Sequence, residues 1–438
     1  MTRDDNANDN RTRRNFLTAT AVVGTAALAG CSGGGSGDET TTGMDTTMET
    51  TSEMMDTTTE ETTTEEMSKP HPDLDVLNYA LTLEHLENAF YREGLNTFSD
   101  DELMGADAVS KFNETVRMDV PEYLKVADEH EAAHVKTLSA TIEKLGGTPV
   151  EEAEYDFGYE TPSEYLTTAK ALENTGVAAY AGAAPMIKDN DILGPAAGIH
   201  SVEARHASFL NMVNSSSPFP KAVDEAKSMD EVIEIASQFI TSDMGGSETT
   251  QEMAEEPTAD RKKDDGTGDV KILNYALTLE HLENAFYRDG LENFSDDELM
   301  NADVLSEYGD ELRMTVPDRL RAVGEHEAAH VKAITNTVKK LGGTPVEEAE
   351  YDFGYGTASE FFGVAKALEN TGVAAYKGAA PSVSNDDVFS AAIGIHSVEA
   401  RHASFLNELN VSNPYPKAVD EPKTMKEVKE IAGQFIVQ

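Results

Sequence analysis

The sequence predicts an all-α protein: two tandem four-helix bundles, each followed by a short extra helix. Three observations lead there. Residues of about 73–240 recur at about 269–436 with a constant offset of 196, so a whole domain is duplicated rather than a short solenoid unit. Apolar residues recur at helical spacing, and no stretch sustains the period-2 alternation of a strand. The link between the second and third long helices of each copy is long, as a bundle with one crossover connection requires. The chain then divides into an export signal over 1–31, a tether over 32–70, a domain over 71–240, an acidic linker over 241–269 and a second domain over 270–438.

The N-terminal stretch reads as an address. Thr12-Arg13-Arg14-Asn15-Phe16-Leu17 resembles a twin-arginine signal, and the apolar run Ala19 to Ala29 after it is too short to span a bilayer comfortably. Leu28-Ala29-Gly30-Cys31 resembles a lipobox. Cys31 is the single cysteine, so no intrachain disulfide can form. The expectation is a chain lipidated at Cys31 and anchored to the outer face of the cytoplasmic membrane. Residues 32–70 are Gly, Ser, Thr, Glu and Met with almost nothing to bury, which suits a tether.

Net charge is −47, from 81 acidic against 34 basic residues. Nucleic-acid partners are excluded, since phosphate binding needs clustered Lys and Arg. So much like charge is tolerable where salt screens it, and a halophilic source is expected.

In the first copy, the first long helix is expected from about Asp73 to Leu95, with Ser99 capping a short helix after it. The second begins near Pro121, a residue suited to a first turn, and ends at Gly146-Gly147. Thr161-Pro162-Ser163-Glu164 reads as a capping box opening the third helix, which runs to about Gly182. The fourth runs from about Ile192 to Val213, and a short fifth from Met229 to Ile240.

Carboxylates on apolar faces are the anomaly. At 100° per residue, Leu77, Leu81, Glu84, Tyr91 and Leu95 share one face of the first helix. An unpaired buried carboxylate costs several kcal/mol, so Glu84 needs a proton, a cation or a metal. The second helix carries Glu131-Ala-Ala-His134 and the fourth Glu203-Ala-Arg-His206. A spacing of three lets carboxylate and imidazole reach one point. The third helix offers Glu173. Glu84 precedes Tyr91 by seven residues, as Glu173 precedes Tyr180, while the counterpart of Glu87 is Gly176. That internal symmetry makes Glu84 the ligand and Glu87 an extra ligand or an outer acceptor. Tyr91 and Tyr180 are expected to pack in the core, with a hydrogen bond to a ligand carboxylate as the alternative. His200 and Asp128, one turn before Glu203 and Glu131, are left between contact with a ligand and an edge position. His85 and His130 are placed on the flank, at the surface or between domains. The second copy repeats all of this with Glu280, Glu327, His330, Glu369, Glu399 and His402, and with Glu283, Tyr287 and Tyr376 beside them.

The motifs LTLEHLENAFY, HEAAHVKTL, ALENTGVAAY and HSVEARHASFL, present in order and nearly unchanged twice, resemble the ferritin-like superfamily, and within it the desiccation-related ferritin-like proteins. The resemblance implies two iron or manganese ions per domain, with one Glu from each of two helices and Glu-x-x-His from each of the other two. Four carboxylates and two neutral imidazoles balance two divalent cations. No cysteine is available for a rubredoxin-type iron centre, a departure from the rubrerythrins. The implied activity is oxidation of ferrous iron or removal of peroxide at the cell surface. The alternatives are a non-catalytic metal-binding or stress-protective lipoprotein, or a purely structural one. No storage cage is expected from a tethered tandem chain. The two copies are expected to pack as an internal pseudo-dimer, and the long tether between them makes independent sites the expectation.

Overall fold

The first long helix of each copy is pinned at its start by an aspartate. The Asp73 carboxylate, fully buried, accepts from the backbone N–H of Lys188 and Asp189 at 2.9 Å each. The computed structural model describes residues 70–241 and 266–437, and both bundles lie in one compact unit, Met67–Gln438. The export signal, Cys31 and the tether up to residue 69 lie outside the described residues, as does most of the linker.

The first copy contains α1 (Leu74–Thr97), α2 (Asp100–Met104), α3 (Glu114–Lys144), α4 (Pro162–Ala183), α5 (Asn190–Val213) and α6 (Met229–Ala236). The second contains α7 (Thr267–Asn293), α8 (Asp296–Met300), α9 (Asp310–Arg313), α10 (Val316–Lys340), α11 (Ala358–Ala379), α12 (Asp386–Leu409) and α13 (Met425–Ala432). Thus α7 begins inside the stretch read as linker. Among the described residues there is no strand, only the single bridges Tyr155–Ile240 and Tyr351–Ile436.

Helix ends follow local chemistry. Ser99, Thr161 and Ser228 each form a capping box with the Glu three residues on. Gly146 stops α3 with φ of 80°, a left-handed position that glycine fills without strain, while Gly147 N–H returns to the Ile142 carbonyl at 2.9 Å. Two boundaries differ from the sequence reading. Pro121 lies inside α3 rather than at its start. The turns before it bury Val116 and Val120 completely, and that burial offsets the one hydrogen bond proline removes. In the second copy Pro317 does stand at the start of α10, and the preceding residues form the separate helix α9. The fifth helix ends at Ala236 instead of Ile240, because Phe239 accepts from Asp156 N–H at 2.8 Å and draws the chain onto the crossover.

That crossover, residues 145–161, runs back along α1. Val150 N–H donates to Asn78 at 2.9 Å, Arg92 pairs with Glu152, and Phe90 meets Phe157 edge-on at 5.1 Å. The chain therefore enters α4 beside the far end of α1, and α4 runs antiparallel to it. At their crossing Gly94 gives way to the Tyr165 ring: a Cβ there would lie 2.0 Å from Cε2. In the second copy Gly290 meets Phe361 in the same way, at 2.1 Å. Gly94→Ala is therefore expected to destabilise the first bundle by about 1–3 kcal/mol, the usual cost of overpacking. A lowered urea midpoint with an unchanged slope is the outcome that checks it.

Candidate metal centre

The antiparallel run of α1 and α4 places Glu84 beside Tyr180 and Glu173 beside Tyr91. Each tyrosine hydroxyl donates to the carboxylate of the other helix: Tyr91 to Glu173 and Tyr180 to Glu84. The second copy repeats the cross, with Tyr287 to Glu369 at 2.6 Å and Tyr376 to Glu280. Of the two roles weighed from the sequence, the tyrosines take both, buried packing and a bond to a ligand-type carboxylate.

The structure brings together the six residues singled out in each copy. Glu84, Glu131, His134 and Glu203 form one group, and Glu131, Glu173, Glu203 and His206 a second, with ligand atoms within 4.8 Å of one another. Glu131 and Glu203 belong to both groups, so they stand between two adjacent positions. The second copy gives Glu280, Glu327, His330 and Glu399, then Glu327, Glu369, Glu399 and His402. Each imidazole offers Nδ1. That of His134 lies 3.1 Å from Glu84, 3.0 Å from Glu131 and 3.1 Å from Glu203. That of His206 lies 3.1 Å from Glu131 and 3.3 Å from Glu173.

All twelve side chains are buried; Oε2 of Glu173 and Oε2 of Glu203 have no hydrogen-bond partner, while Oε1 of Glu131, Oε1 of Glu203 and Nδ1 of His206 make ion-pair contacts at 3.1 Å without an aligned hydrogen bond. Native interiors seldom leave such atoms unsatisfied. Here they converge on two points that a pair of cations would fill, and N,O donors without thiolate suit iron or manganese. Burial first, then the neighbouring carboxylates, raise the pKa of Glu203 and of its counterpart Glu399, whereas Glu131 is raised by burial and Glu203 while its counterpart Glu327 is lowered by His330 against the effect of burial. Burial opposes charge on His134, yet Glu131 and Glu84 together hold its pKa well above the usual value. The cluster by itself thus crowds like charge into dry surroundings, a cost that cations would relieve.

Glu87 and Glu283 stand just outside these groups. Their pKa is raised well above the usual value, by burial first and then by the neighbouring carboxylates. A Cβ on Gly176 would come 2.9 Å from Glu87 Oε1 and 3.1 Å from Glu203 Oε2. The glycine opposite Glu87 is therefore the space its carboxyl occupies, beside a shared ligand-type residue.

Other histidines find definite places. His130 is buried between the domains rather than at the surface: its ring lies 5.8 Å from that of Tyr415, and its Nδ1 3.0 Å from Nε2 of His206. Burial holds its pKa down, at about 2. His326 repeats this against His402 at 3.1 Å. His200 is buried and packs against His396 of the other domain at 5.8 Å between ring centroids. His85 bonds the Val150 carbonyl at 3.1 Å.

Sequence reasoning missed the residues that reach each cluster from the other domain. Nε2 of His134 donates to the Ala418 carbonyl at 2.6 Å, and Nε2 of His330 to Ala222 at 2.6 Å. A backbone acceptor leaves no trace in side-chain identity. The aromatic pair Phe219 and Tyr415, repeated at the offset of 196, was a usable signal.

Fold and site together define a four-helix-bundle protein with a buried carboxylate–histidine cluster in each of two domains. The ferritin-like domain family matches residues 72–215 and 268–411, and the chain belongs to that family. It is also 27% identical over 150 residues to Protein rds1 of Schizosaccharomyces pombe (strain 972 / ATCC 24843), a match covering 34% of this chain and 34% of that protein. The chain thus spans about a third of the length of that relative.

Tyr91→Phe with Tyr180→Phe should leave the bundle folded, since both rings stay buried. Both carboxylates lose their orienting donor, and affinity for Mn2+ in the first domain is expected to fall ~10- to 100-fold. Calorimetric titration beside a thermal melt distinguishes this from simple unfolding.

Proposed function

We propose that each domain holds two iron or manganese ions and works as a redox centre, oxidising ferrous iron or removing peroxide. The observation that carries this reading is the pair of groups sharing Glu131 and Glu203, repeated with Glu327 and Glu399. Two ions held by shared carboxylates can exchange electrons with oxygen, peroxide or incoming ferrous iron. The protein's part is positional. Glu84 with His134 serves one position and Glu173 with His206 the other, and the crossed tyrosines fix the two terminal carboxylates. The enclosing apolar residues keep bulk water from the cluster, which strengthens every electrostatic contact inside it.

Binding without turnover is the second reading, a metal-holding or stress-protective protein, and its support is the enclosure itself: every ligand-type residue is buried. Elemental analysis of protein from high-salt expression should give four metal ions per chain, and ferrous iron should drive rapid oxygen consumption. Metal near zero after reconstitution with iron and manganese sinks the two-metal reading. Four ions without oxygen consumption selects the protective one. Glu84→Ala should empty or weaken the first site, while Glu87→Ala, outside both groups, should lower affinity only ~10- to 100-fold. Glu84→Ala also leaves the Tyr180 hydroxyl and the His134 imidazole without a buried partner, so the metal-free fold is expected to lose stability as well.

The same proposal places the protein outside the cytoplasmic membrane, exported by the twin-arginine route and held by lipid on Cys31. Among the described residues no helix is long and apolar enough to cross a membrane. Cys31→Ser should move the protein to the soluble fraction with its melting temperature unchanged; retention with the membrane after signal cleavage contradicts the anchor.

A further inference from the structure

We propose that the two domains complete each other's metal sites: the segment after α12 finishes the first domain's site, and the segment after α5 finishes the second's. This rests on the reading that the clusters bind metal. It assigns positioning roles to Tyr415 and Phe219, and it replaces the expectation of independent sites with reciprocal ones.

The chain leaves α5 and α12 through left-handed residues, Ser215 with φ of 63° and Val411 with φ of 52°. Both reversals are closed locally, Ser216 N–H returning to the Asn211 carbonyl at 2.8 Å and Ser412 N–H to Asn407 at 2.9 Å. Further along, each segment bonds the other domain. Asp420 N–H donates to the Gly198 carbonyl at 3.3 Å, and Asp224 N–H to Gly394 at 3.1 Å.

Each crossing segment then touches the ligand-type imidazoles of the domain it visits. The Ala418 carbonyl takes the Nε2 proton of His134. That bond occupies Nε2 and turns Nδ1 toward Glu84, Glu131 and Glu203, as an outer acceptor does for a metal-bound histidine. The Tyr415 ring stands edge-on to His206 at 4.5 Å, and its hydroxyl donates to the Tyr123 carbonyl at 2.9 Å. In the other direction Ala222 takes the proton of His330, and Phe219 stands edge-on to His402 at 4.9 Å. Both histidines of each site are therefore oriented or covered by the other copy.

Buried charge locks the exchange. Arg205 Nε donates to Asp420 Oδ2 at 2.8 Å and Arg401 Nε to Asp224 Oδ2 at 2.7 Å. Each arginine follows a shared ligand-type carboxylate by two residues in Glu-Ala-Arg-His. Between the paired helices the contact is made of Ala204, Ala207, Ala400 and Ala403, with Ser208 and Ser404 each donating to the facing helix backbone at 2.9 Å. Small side chains allow that close approach. The same helix thus holds the ligand-type pair on one face and the docking residues on the other.

The test uses the full chain with one site disabled. With Glu327→Gln and Glu399→Gln present, Mn2+ titration reads the first domain alone. Tyr415→Leu in that background should weaken Mn2+ binding ~10-fold or more, although it lies in the second copy's sequence. Phe219→Leu, in the first copy's own sequence, should leave it unchanged. With Glu131→Gln and Glu203→Gln instead, the two variants should exchange effects. Tyr415→Phe keeps the ring over His206 and should hold affinity near the parent value, which separates positioning from loss of fold. A second readout needs no metal. In 15N-histidine-labelled apo-protein, the Nε2 proton resonance of His134 should shift with Tyr415→Leu and not with Phe219→Leu. Effects confined to the domain that carries the mutation, or no effect from either variant on that resonance, overturn the inference. Failure of both parent chains to take up Mn2+ would overturn only the metal reading, and the proton resonance would still decide the exchange.

Discussion

Four carboxylates buried around two points in each domain are the constraint on which the rest depends. A bundle core gains its stability by excluding water, and exclusion is what makes unpaired charge expensive there. The conflict is relieved in layers. Histidine Nδ1 atoms face the carboxylates, tyrosine hydroxyls satisfy the outer oxygens of Glu84 and Glu173, and burial with the neighbouring carboxylates raises the pKa of Glu203 and Glu399. Oε2 of Glu203 and Oε2 of Glu173 still lack hydrogen-bond partners after all of that. A core selected only for stability would replace these residues with leucine; retaining six of them twice makes sense if cations occupy the centre.

Symmetry acts at two levels. Within a bundle, α1 and α4 carry the same Glu and Tyr seven residues apart, and their antiparallel packing turns that spacing into a crossed pair of hydrogen bonds. One departure from this pattern has a steric reason: Glu87 needs the room that Gly176 leaves. Between bundles, the duplication sets α5 against α12 through alanines and serines, a contact that large side chains would prevent. The ligand-type Glu203 and the docking Arg205 are two residues apart, so neither face of that helix can move without the other.

Much of this was legible in the sequence. Capping boxes at Ser99 and Thr161, the glycine stop at Gly146 and the constant offset gave the helices and the duplication, because those signals are local. The six-residue set was legible because helical spacing projects Glu and His to one side. The start of α3 was not, since burial of Val116 and Val120 overrides proline's preference for a first turn. Of the two places read for His130, the surface or between domains, the second holds: Tyr415 of the other copy covers it at 5.8 Å, a contact one bundle considered alone does not show. The Ala418 carbonyl was invisible in principle: any residue there presents the same oxygen.

These last two cases point to one physical cause. The outer parts of each cluster come from a chain segment more than two hundred residues away in one direction and about a hundred in the other. Contacts so distant cost loop-closure entropy, which grows only slowly with length, and a covalent link keeps the second domain at high effective concentration. Arg205 and Asp420 would be ordinary surface charges on separate domains; together they become a buried pair whose members each need the other. Duplication within one chain therefore does more than double the number of sites. It guarantees that the acceptor for His134 and the ring over His206 arrive with the bundle they serve.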